Sequence, residues 1–322
     1  MAATAEALSA EYRALTEACG LVDRSERGKL ALTGSDRKAF LQGQVTNDVE
    51  RLRPGHGCYA AFLTHKGKML GDMRILDLGD ELLLDTERVA LQELFNMIRR
   101  YKLGSDVELH KRTVEMALLS LVGPDARRIA GAGALAREHD NARARIGGRD
   151  VILVATDAGV DVFCAADDGG AVRAALEIAG AVPASEDAAE IVRVERGRPR
   201  YGVDLDEGVI PQEAGLNERA VSFTKGCYVG QETVARLFYR GKPNRHLRGL
   251  KLSGPAARGD ALRLGEKEVG RLGSVVVSPV HGPIALALVR REAEIGETLT
   301  VGEGAATAEV VDVPFRDLPL AG

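Results

Sequence analysis

The sequence predicts an α+β fold closed by a small C-terminal β-barrel. Helix-like and strand-like periods mix along the first 245 residues. Past Arg248 the texture changes to short β-like runs broken by Gly and Pro, the signature of a small barrel. The chain of 322 residues also exceeds what one hydrophobic core usually organises, so two domains are expected, 1–245 and 246–322.

Each element follows from its residues. The Ala-rich stretch 1–17 reads as a helix stopped near Gly20. Residues 29–33 alternate as a short strand. Gly34 and Ser35 then turn the chain into a helix, with Ser35 as its N-cap and Phe40 and Leu41 facing inward. Residues 58–64 and 69–78 read as strands joined at Lys66-Gly67-Lys68, where Gly67 supplies a positive φ. A strand at 82–84 leads to a helix at 86–100, and 114–122 forms a buried strand before a turn at Gly123-Pro124-Asp125. Residues 151–155 and 160–165 form a hairpin. Helices follow at 167–180 and 188–197, the second ending ahead of Pro199. The barrel strands are 247–252, 268–277, 284–289, 298–301 and 307–311.

Composition narrows the function. A hydrophobic fraction of 45% and a charged fraction of 28% are ordinary for a globular chain. A net charge of −4 singles out neither nucleic acid nor an anionic membrane as partner. There is no apolar run of about 20 residues to span a bilayer, and the N-terminus lacks the basic start and unbroken apolar stretch of a secretory signal. Cys19, Cys58, Cys164 and Cys227 are widely spaced without a CxxC pair, so no metal set is expected and reduced thiols in a cytoplasmic protein are. With no Trp and 4% aromatics there is no platform for stacking bases. A monomer is expected, with no membrane or nucleic-acid partner.

The most informative stretch is Lys225-Gly226-Cys227-Tyr228-Val229-Gly230-Gln231-Glu232. Glycines allow close backbone approach to a ligand, and a lysine beside a thiol favours the thiolate. On chemistry alone this is either a functional loop or a turn with a semi-buried cysteine. The octapeptide resembles the signature of the YgfZ-type folate-binding proteins, relatives of the glycine cleavage T-protein that support iron–sulfur enzymes. The likeness continues through Thr233, Val234, Ala235 and Arg236 to Arg240 and Gly241. It extends upstream to the R-x-E-x-G-x-P-x-x-G block from Arg193 to Gly202 and to Pro211-Gln212-Glu213-Ala214-Gly215-Leu216. Further matches are Leu32 to Asp36, Phe40 to Asp48, Gly57 to Tyr59, Gly67 to Asp72, and Gly270 to Leu288, so the likeness covers nearly the whole chain.

The resemblance implies a T-protein-like ring. Two intertwined folate-binding subdomains in 1–245 and a C-terminal barrel would surround tetrahydrofolate, or a one-carbon derivative of it. It implies an accessory protein for assembly or repair of iron–sulfur cluster enzymes, with those enzymes or their assembly proteins as partners and Cys227 as a functional thiol. Glu195 and Glu213 would accept hydrogen bonds from the pterin. Tyr59 and Tyr201 would wall the aromatic ring, and Arg236 would hold the glutamate tail. Taken by themselves, Glu195 can equally pair with a neighbouring arginine, Glu213 can be a surface residue, Tyr59 can pack in the core, and Arg236 can be an ordinary exposed arginine.

The chain departs from the T-protein at one place. Aminomethyltransferases carry two adjacent aspartates where this sequence has Gly71-Asp72. General acid–base help is worth about 10²–10⁴-fold, so loss of its carrier leaves a poor transferase. A tetrahydrofolate-dependent aminomethyl- or methyltransferase stays open as the alternative, with Asp72 as its one catalytic carboxylate. Asp72 read as a strand-end residue making a turn hydrogen bond stays open beside it.

Overall fold

The chain enters one sheet, leaves it to build a second, and returns to the first before forming a third. A computed structural model describes this path for residues 5–315. Helix α1 (Ala5–Glu17) leads to strands β1 (Gly20–Asp23) and β2 (Gly28–Thr33), helix α2 (Arg37–Gln42), and strands β3 (Gly57–Leu63), β4 (Met69–Asp77) and β5 (Leu82–Thr86). Then come helix α3 (Leu91–Tyr101), β6 (Glu108–Lys111), β7 (Met116–Val122), α4 (Ala126–Ile129), β8 (Asn141–Ile146), β9 (Arg149–Ala155), β10 (Gly159–Ala165), α5 (Gly169–Ile178) and β11 (Val182–Pro183). Helices α6 (Glu186–Glu195), α7 (Asn217–Ala220) and α8 (Gln231–Arg240) precede the last six strands. These are β12 (Arg245–Leu252), β13 (Ala261–Leu264), β14 (Lys267–Ser278), β15 (Gly282–Arg290), β16 (Thr298–Val301) and β17 (Thr307–Val311).

The first sheet runs β11-β1-β7-β10-β9-β8, the second β3-β4-β5-β2-β6, and β12-β15-β14-β13-β16-β17 closes as a barrel. The α+β class with a terminal barrel is thus observed. The two open sheets share a dry joint of Leu76, Leu83, Leu118, Val154 and Phe163. Strand β7 (MALLSLV) is buried along nearly its whole length because it lies between β1 and β10. The barrel is filled by inward residues such as Leu262, Leu272, Val289 and Val310, and closure removes its edges. Helix α6 docks Val194 against Leu247, Ile284, Leu286 and Phe315, joining the N-terminal part to the barrel.

Several elements differ from expectation. Ser35 does not cap α2; its backbone N–H and hydroxyl both donate to Asp106, and Asp36 holds the capping position without a side-chain bond. Helix α3 starts later than 86, after a short 3₁₀ turn over Arg88–Ala90. Strands β1, β6, β8, β11 and β13 and helices α7 and α8 were not expected. The turn between β3 and β4 is as expected, with Gly67 at φ +75°. Residues 1–4 of the expected first helix lie outside the described residues.

Candidate functional site

Strands β3 and β4 pair so that Tyr59 faces Arg74 and Ala61 faces Asp72, which puts Tyr59 and Asp72 on one face, diagonal to each other. The Tyr59 hydroxyl donates to Asp72 Oδ2 at 2.7 Å. Both line a cavity of about 270 Å³ together with Tyr201, α6 and the β9–β10 turn. Burial lifts the Asp72 carboxyl to about 6, against the hydrogen bond from Tyr59, which lowers it. The other carboxyl oxygen has no hydrogen bond among the described residues. Burial also raises Tyr201 to about 12.

The residue before Asp72 has no room for a side chain. A Cβ at Gly71 would come within 2.6 Å of the Phe62 ring and 2.7 Å of Ala90 Cβ, and both neighbours are fully packed in the core. The second acid of the T-protein pattern therefore has no place in this packing.

Eight arginines and seven acids line the cavity, and most are paired with one another. Asp85, just behind the lining, receives Arg27 Nε at 2.9 Å and Arg74 at 2.7 Å. Burial alone would raise its carboxyl, but the two guanidiniums hold it at about 2. Arg74 reaches on to Asp161 across the joint between the sheets at 2.5 Å. Arg219 bonds Glu138 at 2.5 Å and lies 5.3 Å over the Tyr59 ring. Arg196 differs: it donates to the Asp157 carbonyl at 2.7 Å and forms no ion pair among the described residues. His139, at φ +71°, is kept neutral by burial and by the charges of Arg74 and Arg219, which lower its pKa to about 3.

The remaining expected site residues are elsewhere. Glu195 is fully buried, and its two oxygens accept from the Tyr12 hydroxyl at 3.0 and 3.1 Å, with Ser278 Oγ donating to Oε1. It joins α1, α6 and β14 and does not line the cavity. Glu213 receives Arg245 at 3.1 and 2.9 Å, and its carbonyl accepts from Leu247, so it fastens the preceding loop to the first barrel strand. Arg236 is exposed on α8 and touches no part of the cavity. Sequence reasoning missed Arg219, Arg196 and His139. Arg196 lay inside the quoted block, but isolated arginines carry no periodic cue.

In the octapeptide, Lys225 turns inward. Its ammonium donates to the carbonyls of Gln42 and Val45 at 2.6 Å and of Asn47 at 2.9 Å, and burial lowers its pKa to about 8. This corrects the expectation that Lys225 attends Cys227. The thiol of Cys227 is exposed, whereas Cys19 and Cys164 are buried. Gly230 then starts α8 at φ +83°, seated against the β3–β4 turn.

Residues 2–225 match the family of the GCVT N-terminal domain, and residues 245–314 match the CAF17 C-terminal β-barrel domain. An aminomethyltransferase of Rubrobacter xylanophilus is 31% identical over 320 residues, which covers 96% of this chain and 86% of that protein. One of Halothermothrix orenii is 29% identical over 325 residues, covering 95% and 90%. The crystal structure of the glycine cleavage aminomethyltransferase T of Bartonella henselae superposes with a TM-score of 0.85 at 20% identity, covering 97% of this chain and 90% of that one. The fold is therefore that of the T-protein.

Proposed function

Because the chain belongs to the GCVT N-terminal domain family and ends in a CAF17-type barrel, we propose that it is a cytoplasmic tetrahydrofolate-binding accessory protein that supports assembly or repair of iron–sulfur cluster enzymes. The observation that carries the reading is the separation of two chemistries. Asp72, a buried carboxyl that forms no ion pair among the described residues, faces the cavity with Gly71 rather than an acid before it in the chain, and an exposed thiol stands outside the cavity.

The cavity suits a reduced folate. A pterin edge rich in N–H donors meets the free oxygen of Asp72. The aromatic ring meets the walls made by Tyr59 and Tyr201. The glutamate carboxylate meets Arg196, which forms no ion pair among the described residues. Folate, when bound, supplies a ring nitrogen that carries a one-carbon unit; Asp72 would hold or take a proton beside it. The CAF17-type barrel supports the iron–sulfur side of the reading.

Calorimetric titration with tetrahydrofolate beside complementation of a deletion strain tests this. Cys227→Ser should bind tetrahydrofolate like wild type, melt at the same temperature, and fail to restore iron–sulfur enzyme activity. Full complementation would defeat the functional thiol. Absence of tetrahydrofolate binding in wild type would defeat the folate reading.

A second reading, aminomethyl transfer, is favoured by the two relatives of that name and by the carboxyl at Asp72. We expect little folate-dependent ammonia release from an aminomethyl-lipoyl carrier. Robust release would promote the transferase.

A further inference from the structure

The segment 225–251 carries seven basic residues and one acid in a chain of net charge −4. The structure gives three of those cations partners within the chain. Lys225 is buried among carbonyls, Arg245 holds Glu213, and Arg248 lies 3.6 Å from Asp312. Four remain exposed and form no ion pair among the described residues: Arg236, Arg240 and Lys242 on or just after α8, and Lys251 on β12. Arg236 and Arg240 are one helical turn apart, on the same face of α8.

The same helix end exposes aromatic surface. Phe238 is 48% and Tyr239 67% exposed, the two most exposed aromatics among the described residues. Phe238 stacks on Phe223 at 3.7 Å, and Tyr239 meets Phe238 edge-on at 5.0 Å. Phe223 lies four residues before Cys227, so the stack folds the cysteine-bearing loop back along α8. Apart from Val234 the helix buries none of its side chains, and none of these residues lines the folate cavity. Unpaired cations around exposed rings are the composition of a recognition surface, and electrostatic complementarity calls for an acidic occupant.

We propose that this exposed end of α8 docks an acidic segment of a partner protein carrying at least one apolar side chain, and so delivers that partner to the Cys227 thiol. The inference rests on the reading of Cys227 as a functional thiol and adds the chemistry of what reaches it. Carboxylates would engage Arg236, Arg240 and Lys242 while the apolar side chain covers Phe238 and Tyr239.

Synthetic peptides that each bear one cysteine activated as a 2-pyridyl mixed disulfide test this on the full chain. The Cys227 thiolate attacks the peptide sulfur, a protein–peptide disulfide forms, and pyridine-2-thiolate leaves and is read by absorbance. An Asp/Glu-rich peptide with a leucine should react at least about tenfold faster than its Lys-rich counterpart at low salt, with saturation and with loss of the advantage at high salt. Arg236→Glu/Arg240→Glu should reverse the preference. Tyr239→Ser, which leaves the Phe223–Phe238 stack in place, should weaken saturation by the leucine peptide while sparing an acidic peptide without leucine. A small neutral disulfide should react equally with every variant, which separates docking from thiol chemistry. Unchanged tetrahydrofolate titration would show the cavity intact. Equal rates for acidic and basic peptides in wild type would overturn the proposal. So would an acidic preference that survives charge reversal, or single-stranded RNA that shields Cys227 at lower concentration than the acidic peptide does.

Discussion

Asp72 ties the cavity to a measurable pH dependence. Its carboxyl titrates near 6 in the folded chain because burial disfavours the charged form. The folded state then holds the proton more tightly than the unfolded one. Its contribution to stability is full below the unfolded pKa of about 3.9 and is lost as pH rises through 6. Asp72→Asn keeps an acceptor for Tyr59 and removes that loss, so it should stabilise the protein at pH 7.5 by roughly 1–3 kcal/mol and weaken tetrahydrofolate. Thermal melts at pH 5 and 7.5, with the gain clearly larger at the higher pH, check this. Glu195 makes the opposite case. Glu195→Ala leaves the buried Tyr12 hydroxyl without a partner and the Ser278 hydroxyl without its acceptor, and should cost roughly 1–3 kcal/mol while tetrahydrofolate affinity holds. A large loss of affinity at unchanged melting temperature would return Glu195 to the site. The sequence could not separate these two carboxyls. Tyr59 lies 13 positions from Asp72, on a neighbouring strand, but Tyr12 lies 183 positions from Glu195, beyond any local pattern.

Helix α8 rests on two glycine turns that meet face to face. A Cβ at Gly230 would stand 2.5 Å from the Thr64 carbonyl, and one at Gly67 would stand 2.8 Å from Thr233 Cβ. With φ at +83°, Gly230→Ala is strained as well as crowded, and a cost of roughly 1–3 kcal/mol is expected. Thermal denaturation should show that loss together with an altered alkylation rate at Cys227; an unchanged melt would mean that α8 shifts freely. Elements were legible where an apolar run or stripe marks them. Residues 116–122 and 160–165 are apolar runs, and α6 buries five apolar side chains, two alanines among them, along its stripe. Strand β8 (NARARI) was missed because an edge strand facing solvent needs no hydrophobic face, and α8 because it buries Val234 alone.

At the scale of the molecule, polar fasteners hold the barrel to the rest. Besides Glu213–Arg245 and Glu195–Ser278, Asp204 accepts from the Ser274 backbone at 2.7 Å and from Arg193 at 3.0 Å. A single calorimetric transition is therefore expected. Arg245→Ala, which leaves the nearly buried Glu213 without its cation, should lower its midpoint by a loss of roughly 1–3 kcal/mol, less than for a fully buried pair. Two resolved transitions in wild type would mean that the fasteners do not couple the parts. The barrel was legible from its regular turns, whereas the interleaving of the two open sheets was not. Pairs such as β1 with β7 join residues about a hundred positions apart, and no turn residue announces them.

Gly71 also bears on how such a chain can change over generations. A lineage that placed an acid at this position would meet the Phe62 ring and the Ala90 methyl first, so one codon change yields a misfit before it yields a catalyst. The route back runs through an earlier trimming of Phe62, which by itself opens a hole in the core of the second sheet and lowers stability. The Ala90 methyl must still give way after that, so at least two steps are needed, the first of them harmful, and that order makes the glycine a ratchet. An engineer faces the same sequence of moves and would do well to begin with the phenylalanine.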